Sequence, residues 1–134
     1  LFREVEPTPD WLKARLGLNS ECVLHLRCLH KAGSAPFQVE ERWINPDVVP
    51  AVLAADFSTE GPNEWLVREV PFTNVEVVFS AEGASPQVAQ ALHVPEGEPV
   101  FCSERVTWLE SVPVTLARMH FAAGYRMVSA HHMG

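Results

Sequence analysis

The stretch RCLHKAGSAPFQVEERWINP, from Arg27 to Pro46, determines how the rest of this chain is interpreted. Residue types alternate through its first part, a turn containing Gly33 and Pro36 interrupts them, and a second segment runs from Phe37 to Ile44. Alternating segments on both sides of a short glycine-containing turn are typical of a β-hairpin. We therefore predict two antiparallel strands here.

One face of this hairpin is unusually polar. Side chains alternate across a strand, so pairing even-numbered with even-numbered positions gathers five polar residues on one face. These residues are Cys28, His30, Gln38, Glu40 and Arg42. Such a set makes a poor apolar core but a suitable wall for a polar pocket. The pattern leaves a second interpretation open, namely a solvated face of a one-sided antiparallel sheet.

The remainder of the chain predicts short helices and further antiparallel strands. We expect a short helix within Pro7–Gly17, a turn and a short helix over Asp47–Ala55, and helices at Pro62–Glu69 and Ser85–Leu92. The expected strands are Phe72–Ala81, a second hairpin at Val100–Leu109 and Pro113–Phe121, and an edge strand at Gly124–Ser129. This order predicts a single α+β domain over residues 1–134, with short helices packed against a mainly antiparallel sheet.

Composition and charge exclude several classes of protein. A hydrophobic fraction of 47% in 134 residues is enough for one folded core. The three cysteines are odd in number and lack C-x-x-C spacing, which disfavours a disulfide framework or a zinc cluster and suits a reducing cytoplasm. The net charge of −7 opposes binding of nucleic acid by this chain alone. No apolar run is long enough for a membrane span, and no signal peptide is present.

Sequence motifs for catalysis and cofactors are also missing. The chain lacks a P-loop, a dinucleotide-binding motif and a Gly-x-Ser-x-Gly motif, so we predict no cofactor and no catalytic residue. The adjacent His131 and His132 would point to opposite faces of a strand, so disorder or an added tag is favoured over a metal pair. The chain begins at Leu1 without an initiator Met, which we interpret as either an excerpt of a longer protein or a processed or tagged chain.

Three features are candidates for ligand binding. His30 and Glu40 form either an acid–base or ligand-binding pair or simply a half-exposed strand histidine with its neighbour. Arg118 lies in an apolar strand and therefore needs an anion, which is either Glu104 or a ligand carboxylate or phosphate. The helix that begins at Pro62 offers backbone N–H groups to an anion, although every helix has such an end.

By contrast, Arg105 and Thr107 are interpreted as surface positions.

Several motifs together resemble a known family. The pattern R-C-L-H-x-A-G-x-x-P-F-Q-x-E-x-R-W-I-N from Arg27 to Asn45 is followed by D-F-S at 56–58, P-N-E-W-L at 62–66 and A-R-M at 117–119. This arrangement is similar to the UTRA ligand-binding domain of GntR-type transcription regulators, and more narrowly to the histidine-utilisation repressors. The resemblance covers nearly the whole chain. It implies a chorismate-lyase-like α+β fold, a homodimer and a small-molecule inducer, which in that branch is urocanate.

The resemblance also implies contact residues, carried over position by position. Sugar-phosphate-sensing members have an R-x-R pair that falls on Cys28 and His30 here, and a glutamate that falls on Glu40. The loss of both arginines argues for a less charged ligand. A family serine or threonine before the Pro62 helix falls on Gly61, which leaves only backbone donors there. Pro62 and Asn63 follow as candidate contacts at the start of the helix. The late-strand contact falls on Arg118, and Tyr125 approximates a family aromatic residue. On this basis we predict one pocket between the hairpin, the Pro62 helix and Arg118.

Three functions are compatible with these observations. The first is the ligand-sensing and dimerisation domain of a cytoplasmic repressor, whose operator contacts come from a winged helix-turn-helix domain outside this chain. The second is an enzyme acting on an aromatic acid, because chorismate lyase shares the implied fold. The third is a dimerisation domain with a degenerate pocket, an interpretation supported only by Gly61.

Overall fold

The sheet of this protein contains six strands in the order β1-β2-β3-β6-β5-β4, and each neighbouring pair is antiparallel. The computed structural model describes residues 1–132. The strands are β1 Phe2–Pro7, β2 Cys22–Ala32, β3 Ala35–Ile44, β4 Asn74–Gly83, β5 Pro99–Leu109 and β6 Val112–Phe121. The helices are α1 Asp10–Leu16, α2 Pro62–Glu69, α3 Pro86–Leu92 and a 3-10 helix at Pro50–Ala54. The expected α+β class is therefore confirmed.

The hairpin forms with the register that the alternation predicts. Cys28 lies opposite Glu40 and His30 lies opposite Gln38, so even-numbered positions share a face. Gly33 turns the chain with φ +65°, a left-handed conformation that glycine adopts without steric cost.

Two details differ from the expected elements. Strand β1 was not predicted, and it forms the edge of the sheet by pairing with β2. The segment Gly124–Ser129 was predicted to be an edge strand, but in the described residues it contains no strand. The turn and short helix expected between Asp47 and Ala55 form as a turn followed by a 3-10 helix.

Each face of the sheet is covered by different helices. We call the face that carries even-numbered side chains of β2 and β3 the first face, and the opposite face the second face. The core on the first face packs the sheet against the 3-10 helix and α2; it contains Leu24, Leu26, Ile44, Val52, Phe57, Trp65 and Leu66. The core on the second face packs the sheet against α1; it contains Leu12, Leu18, Val23, Trp43, Val106 and Leu116.

Strand pairing extends these two faces across the sheet. Residues that lie opposite each other on neighbouring strands point to the same side. Met119 lies opposite both Glu40 and Ser103, so odd-numbered positions of β5 and β6 belong to the first face over this region. Arg118 lies opposite Glu41 and Glu104, so even-numbered positions belong to the second face.

Candidate functional site

A cavity of about 300 Å³ opens on the first face, between the hairpin, the start of α2 and strands β5 and β6. We call it the hairpin cavity. It is lined by His30, Phe37, Gln38, Glu40, Arg42, Pro62, Asn63, Glu64, Arg105 and Met119. The structure thus brings together five of the residues predicted from sequence: His30, Gln38, Glu40, Pro62 and Asn63.

Glu40 occupies the base of this cavity and is held from two sides. Arg42 Nε donates a hydrogen bond of 2.9 Å to Glu40 Oε2, and His30 Nε2 lies 3.2 Å from Glu40 Oε1. Glu40 is 4% exposed and Arg42 is 2% exposed. Burial favours the neutral acid, but the charge and hydrogen bond of Arg42, followed by those of His30, together hold the pKa of Glu40 below its ordinary value. Glu40 is therefore a carboxylate at neutral pH.

Two arginines line the cavity at the same level of the sheet. Arg42 on β3 and Arg105 on β5 both lie opposite Ala117 of β6, the strand between them, and Arg105 Nη1 donates a 3.2 Å hydrogen bond to Asn63 Oδ1. Within residues 1–132, Glu40 is the one acceptor that Arg42 contacts, and Asn63 is the one acceptor that Arg105 contacts. Each guanidinium carries five N–H donors, so both retain donors for an anion.

The start of α2 contributes less than the sequence suggested. Gly61 is the N-cap residue, and the space that a Cβ would take there is filled by the carboxylate of Glu64. A carboxylate in the first turn already complements the positive end of the helix. Any ligand anion at this point would have to displace Glu64, so the arginines are the more favourable anchor.

Arg118 does not lie in the hairpin cavity, and the expectation that it faces the polar side of the hairpin was wrong. The strand register places Arg118 on the second face, where its Nε donates a 3.0 Å hydrogen bond to Glu104 Oε2. Its guanidinium carbon also lies 4.6 Å from the ring centre of Trp11. The sequence left two partners possible for Arg118, Glu104 or an anionic ligand, and Glu104 is the partner seen in the structure.

Cys28, Gly61 and Tyr125, which were predicted from sequence, are not among the described residues that line the cavity. Cys28 lies opposite Glu40, and burial together with that carboxylate raises the pKa of its thiol to about 11. Tyr125 follows the end of β6 in the chain and stacks on Phe121 with ring centres 4.0 Å apart.

Sequence reasoning missed Arg105, which it assigned to the surface. Arg105 is half-buried and lines the cavity, and Thr107 on the same strand is only 4% exposed and bonds to Thr115 at 2.6 Å. The signal available in the sequence was that Arg105 and Thr107 alternate with apolar residues. Alternation shows that the two residues share a face of the sheet, but it does not show whether that face carries the cavity.

A larger hollow of about 540 Å³ lies on the second face, beneath α3. We call it the α3 cavity. Its two arginines face carboxylates, because Arg118 Nε bonds to Glu104 and Arg27 Nε lies 3.6 Å from Glu41 Oε2. Three carboxylates and two arginines line the α3 cavity, whereas two carboxylates and two arginines line the hairpin cavity, so the hairpin cavity is the better candidate for binding an anionic ligand.

The family model of the UTRA domain matches residues 1–125 of the chain. The chain belongs to the UTRA domain family. The histidine utilization repressor of Pseudomonas putida is 34% identical to this UTRA domain over 97 residues, which are 72% of this chain and 39% of the relative. The histidine utilization repressor of Klebsiella aerogenes is 29% identical over 106 residues, which are 78% of this chain and 44% of the relative. The chain thus spans less than half the length of these two relatives.

Solved structures give the same result for the fold. The C-terminal domain of the histidine utilization repressor from Pseudomonas syringae pv. tomato superposes on this UTRA domain with a TM-score of 0.90 and 26% identity, covering 100% of this chain and 96% of that one. The PhnF C-terminal domain superposes with a TM-score of 0.78 and 18% identity, covering 98% and 86% of the two chains.

The relatives are named as repressors, which confirms the expectation of a regulatory domain and not an enzyme. Among the described residues of this UTRA domain, no helix has the length and apolarity needed to cross a membrane.

Proposed function

We propose that this UTRA domain senses urocanate, or a closely related imidazole-bearing carboxylate, within a transcriptional repressor of histidine utilisation. The observation that carries the proposal is the pair of arginines, Arg42 and Arg105, which lie opposite the same residue of β6, line a small polar cavity and each keep unused N–H donors. The names of the relatives supply the pathway. Operator binding belongs, in the same proposal, to a winged helix-turn-helix domain outside these residues.

The size and charge of the hairpin cavity suit a small monoanion. A volume of about 300 Å³ lies at the lower end of the range for ligand pockets. Two arginines are balanced by Glu40 and Glu64, so the cavity has little net positive charge to offer a phosphate dianion. A planar carboxylate can accept two parallel hydrogen bonds from one guanidinium, and the second guanidinium adds further charge.

The opposite end of the cavity suits an imidazole ring. His30, Phe37 and Gln38 line this end, and Gln38 is four residues from Arg42 along β3. At ~3.3 Å per residue, the two positions lie about 13 Å apart, which leaves room for an extended ligand between side chains that point inward. Glu40 keeps unused lone pairs and can accept a hydrogen bond from an imidazole N–H.

Calorimetry on three versions of the chain tests this assignment. Wild type, Arg105→Met and Arg118→Met are each titrated with urocanate, histidine and glucosamine-6-phosphate. Arg118→Met is the matched control, because it removes an arginine from the opposite face of the sheet. Loss of the Arg105 contact should cost about 2–4 kcal/mol, since the carboxylate would be buried without its partner. That corresponds to roughly 30- to 700-fold weaker urocanate binding.

Equal urocanate affinity in wild type and Arg105→Met would reject the arginine assignment. A large loss in Arg118→Met would move the site to the second face. Tight binding of glucosamine-6-phosphate by the wild type would place this domain among sugar-phosphate sensors.

We further propose that the domain forms a homodimer through β4. All ten residues of this edge strand are exposed, and four of them are large and apolar: Val75, Val77, Val78 and Phe79. An exposed apolar edge readily pairs with a second chain, and an antiparallel pairing of β4 with β4 would be two-fold symmetric. Sedimentation should give twice the chain mass of 14.9 kDa for wild type and a single-chain mass for Val77→Lys. A wild-type monomer at tens of micromolar concentration would contradict the proposal.

A further inference from the structure

Three potential metal ligands meet on the second face, at the edge of the α3 cavity. Glu82 comes from β4, Cys102 from β5 and His120 from β6. Cys102 lies directly opposite His120, and Glu82 is two residues beyond Ser80, the residue that lies opposite Cys102 on β4. One ligand atom from each of the three side chains lies within 4.8 Å of the others, and His120 Nε2 lies 3.3 Å from Glu82 Oε2.

This arrangement matches the needs of a zinc ion. A thiolate, an imidazole and a carboxylate are the three side-chain types that bind Zn²⁺. With bonds of ~2.1 Å and tetrahedral angles, a zinc-bound nitrogen and oxygen are about 3.4 Å apart. The separation of 3.3 Å between His120 and Glu82 is close to that value. Glu82 is exposed, so its side chain can move to shorten its distance to Cys102.

We propose that Glu82, Cys102 and His120 bind a zinc ion whose fourth position opens into the α3 cavity. Three protein ligands and one open position are typical of zinc sites that take an exchangeable fourth ligand, such as water or a small molecule. The cavity beside it, about 540 Å³ in volume, gives that fourth position access to solvent. This site lies on the opposite side of the sheet from the hairpin cavity and does not depend on the function proposed for it.

The charges around the site favour a cation. The α3 cavity is lined by three carboxylates, Glu41, Glu82 and Glu104, and by two arginines, Arg27 and Arg118. Arg118 is on the same strand as His120, but its charge is paired with Glu104 at 3.0 Å. The remaining local charge is therefore negative or neutral, and a thiolate would add a further negative charge.

Metal binding at this site releases one proton. Zinc binds the thiolate, so the Zn–S bond forms as the S–H bond of Cys102 breaks, and the proton leaves to the buffer.

Cobalt provides a spectroscopic probe of the site, because a thiolate bound to Co²⁺ gives a charge-transfer absorption that nitrogen and oxygen ligands do not give. All variants are made in a His131→Ala/His132→Ala background, since these exposed histidines could bind metal by themselves. Cys102→Ser and Glu82→Gln test the site. Cys28→Ser and Glu96→Gln are the matched controls, one a thiol on the first face and the other an exposed carboxylate outside the cluster.

The parent chain should bind one Co²⁺ with the thiolate band, and Zn²⁺ should displace it and raise the melting temperature. Cys102→Ser should abolish the band, and Glu82→Gln should weaken cobalt binding about tenfold or more while the fold is unchanged. Both controls should match the parent.

No thiolate band in the parent would overturn the proposal. Loss of the band in Cys28→Ser, or equal affinity in Glu82→Gln and Glu96→Gln, would also overturn it. The exposed position of Glu82 keeps the test valid if Cys102→Ser does not fold.

Discussion

Replacing Arg42 with methionine should destabilise this domain more than removing any exposed arginine. The substitution keeps an unbranched side chain of similar length but removes the charge that holds Glu40 through the 2.9 Å contact. His30 would then be the one remaining partner of that carboxylate among the described residues. Because Glu40 is only 4% exposed, water compensates poorly for the lost guanidinium.

The size of this effect follows from burial. Removing one partner of a buried ion pair costs about 3–5 kcal/mol, because the other charge is left uncompensated. A domain of this size has about 5–15 kcal/mol of stability, so the loss would be a large fraction of the total. Neutralising Glu40 as well should recover much of it, since the double variant Arg42→Met/Glu40→Gln has no buried charge to compensate.

Urea denaturation of four chains measures this coupling. Wild type, each single variant and the double variant are unfolded at neutral pH, with tryptophan fluorescence as the signal, since Trp43 and Trp65 are buried. Arg68→Met is the matched control, because Arg68 pairs with Glu60 and Glu69 on the surface and should change stability little. A free energy of unfolding for Arg42→Met equal to that of Arg68→Met would refute the reasoning, as would additive effects in the double variant.

Three further outcomes are expected. Because the folded-state pKa of Glu40 is lowered, its contribution to the free energy of unfolding is fully present above the ordinary value of 4.5 and is lost as pH falls through the folded-state value. Urea titrations over this pH range should therefore show that the stability of Glu40→Gln depends less on acid than that of the wild type. Arg3→Ala should cost roughly 1–2 kcal/mol of unfolding free energy, because Arg3 donates 3.0 and 2.9 Å hydrogen bonds to the carbonyl groups of Val52 and Leu53; Arg3→Lys should recover only part. Gly17→Ala should lower the melting temperature at a cost of about 1 kcal/mol, since Gly17 ends α1 with φ 67°; an unchanged melting temperature would contradict this.

The hairpin and its polar face could be predicted because the signals are local. Alternation fixes which residues share a face, and a turn around Gly33 sets the pairing of two strands that are adjacent in sequence. The start of α2 at Pro62 is equally local, because proline is favoured in the first turn of a helix. These signals were enough to predict that His30, Gln38 and Glu40 lie together, and the three residues line one cavity.

The choice between Arg105 and Arg118 could not be predicted in this way. It depends on how β6 pairs with β3, and these strands are separated by about half of the chain. Adjacent residues on a strand face opposite sides of the sheet, so an assignment that is wrong by one residue selects the wrong face. The resemblance selected Arg118, whereas its neighbour Met119 is the residue that lines the hairpin cavity.

Strand β1 was missed for a related reason. Its sequence, Phe2 to Pro7, is short and half polar, and all but one of its residues are exposed. Pairing with β2, and the bonds from Arg3 to the 3-10 helix, hold it in the sheet. Such long-range support leaves no trace in local residue pattern.

Strand β3 separates the two cavities and supplies residues to both. Gln38, Glu40 and Arg42 reach the hairpin cavity, while Val39 and Glu41 reach the α3 cavity. Insertion or deletion of one residue within this strand would exchange the two linings and place Glu41 where Glu40 now lies. The ligand preference of either cavity can thus diversify during evolution by substitution. Insertions and deletions keep the two linings in place only if they fall in the turn or involve two residues at a time.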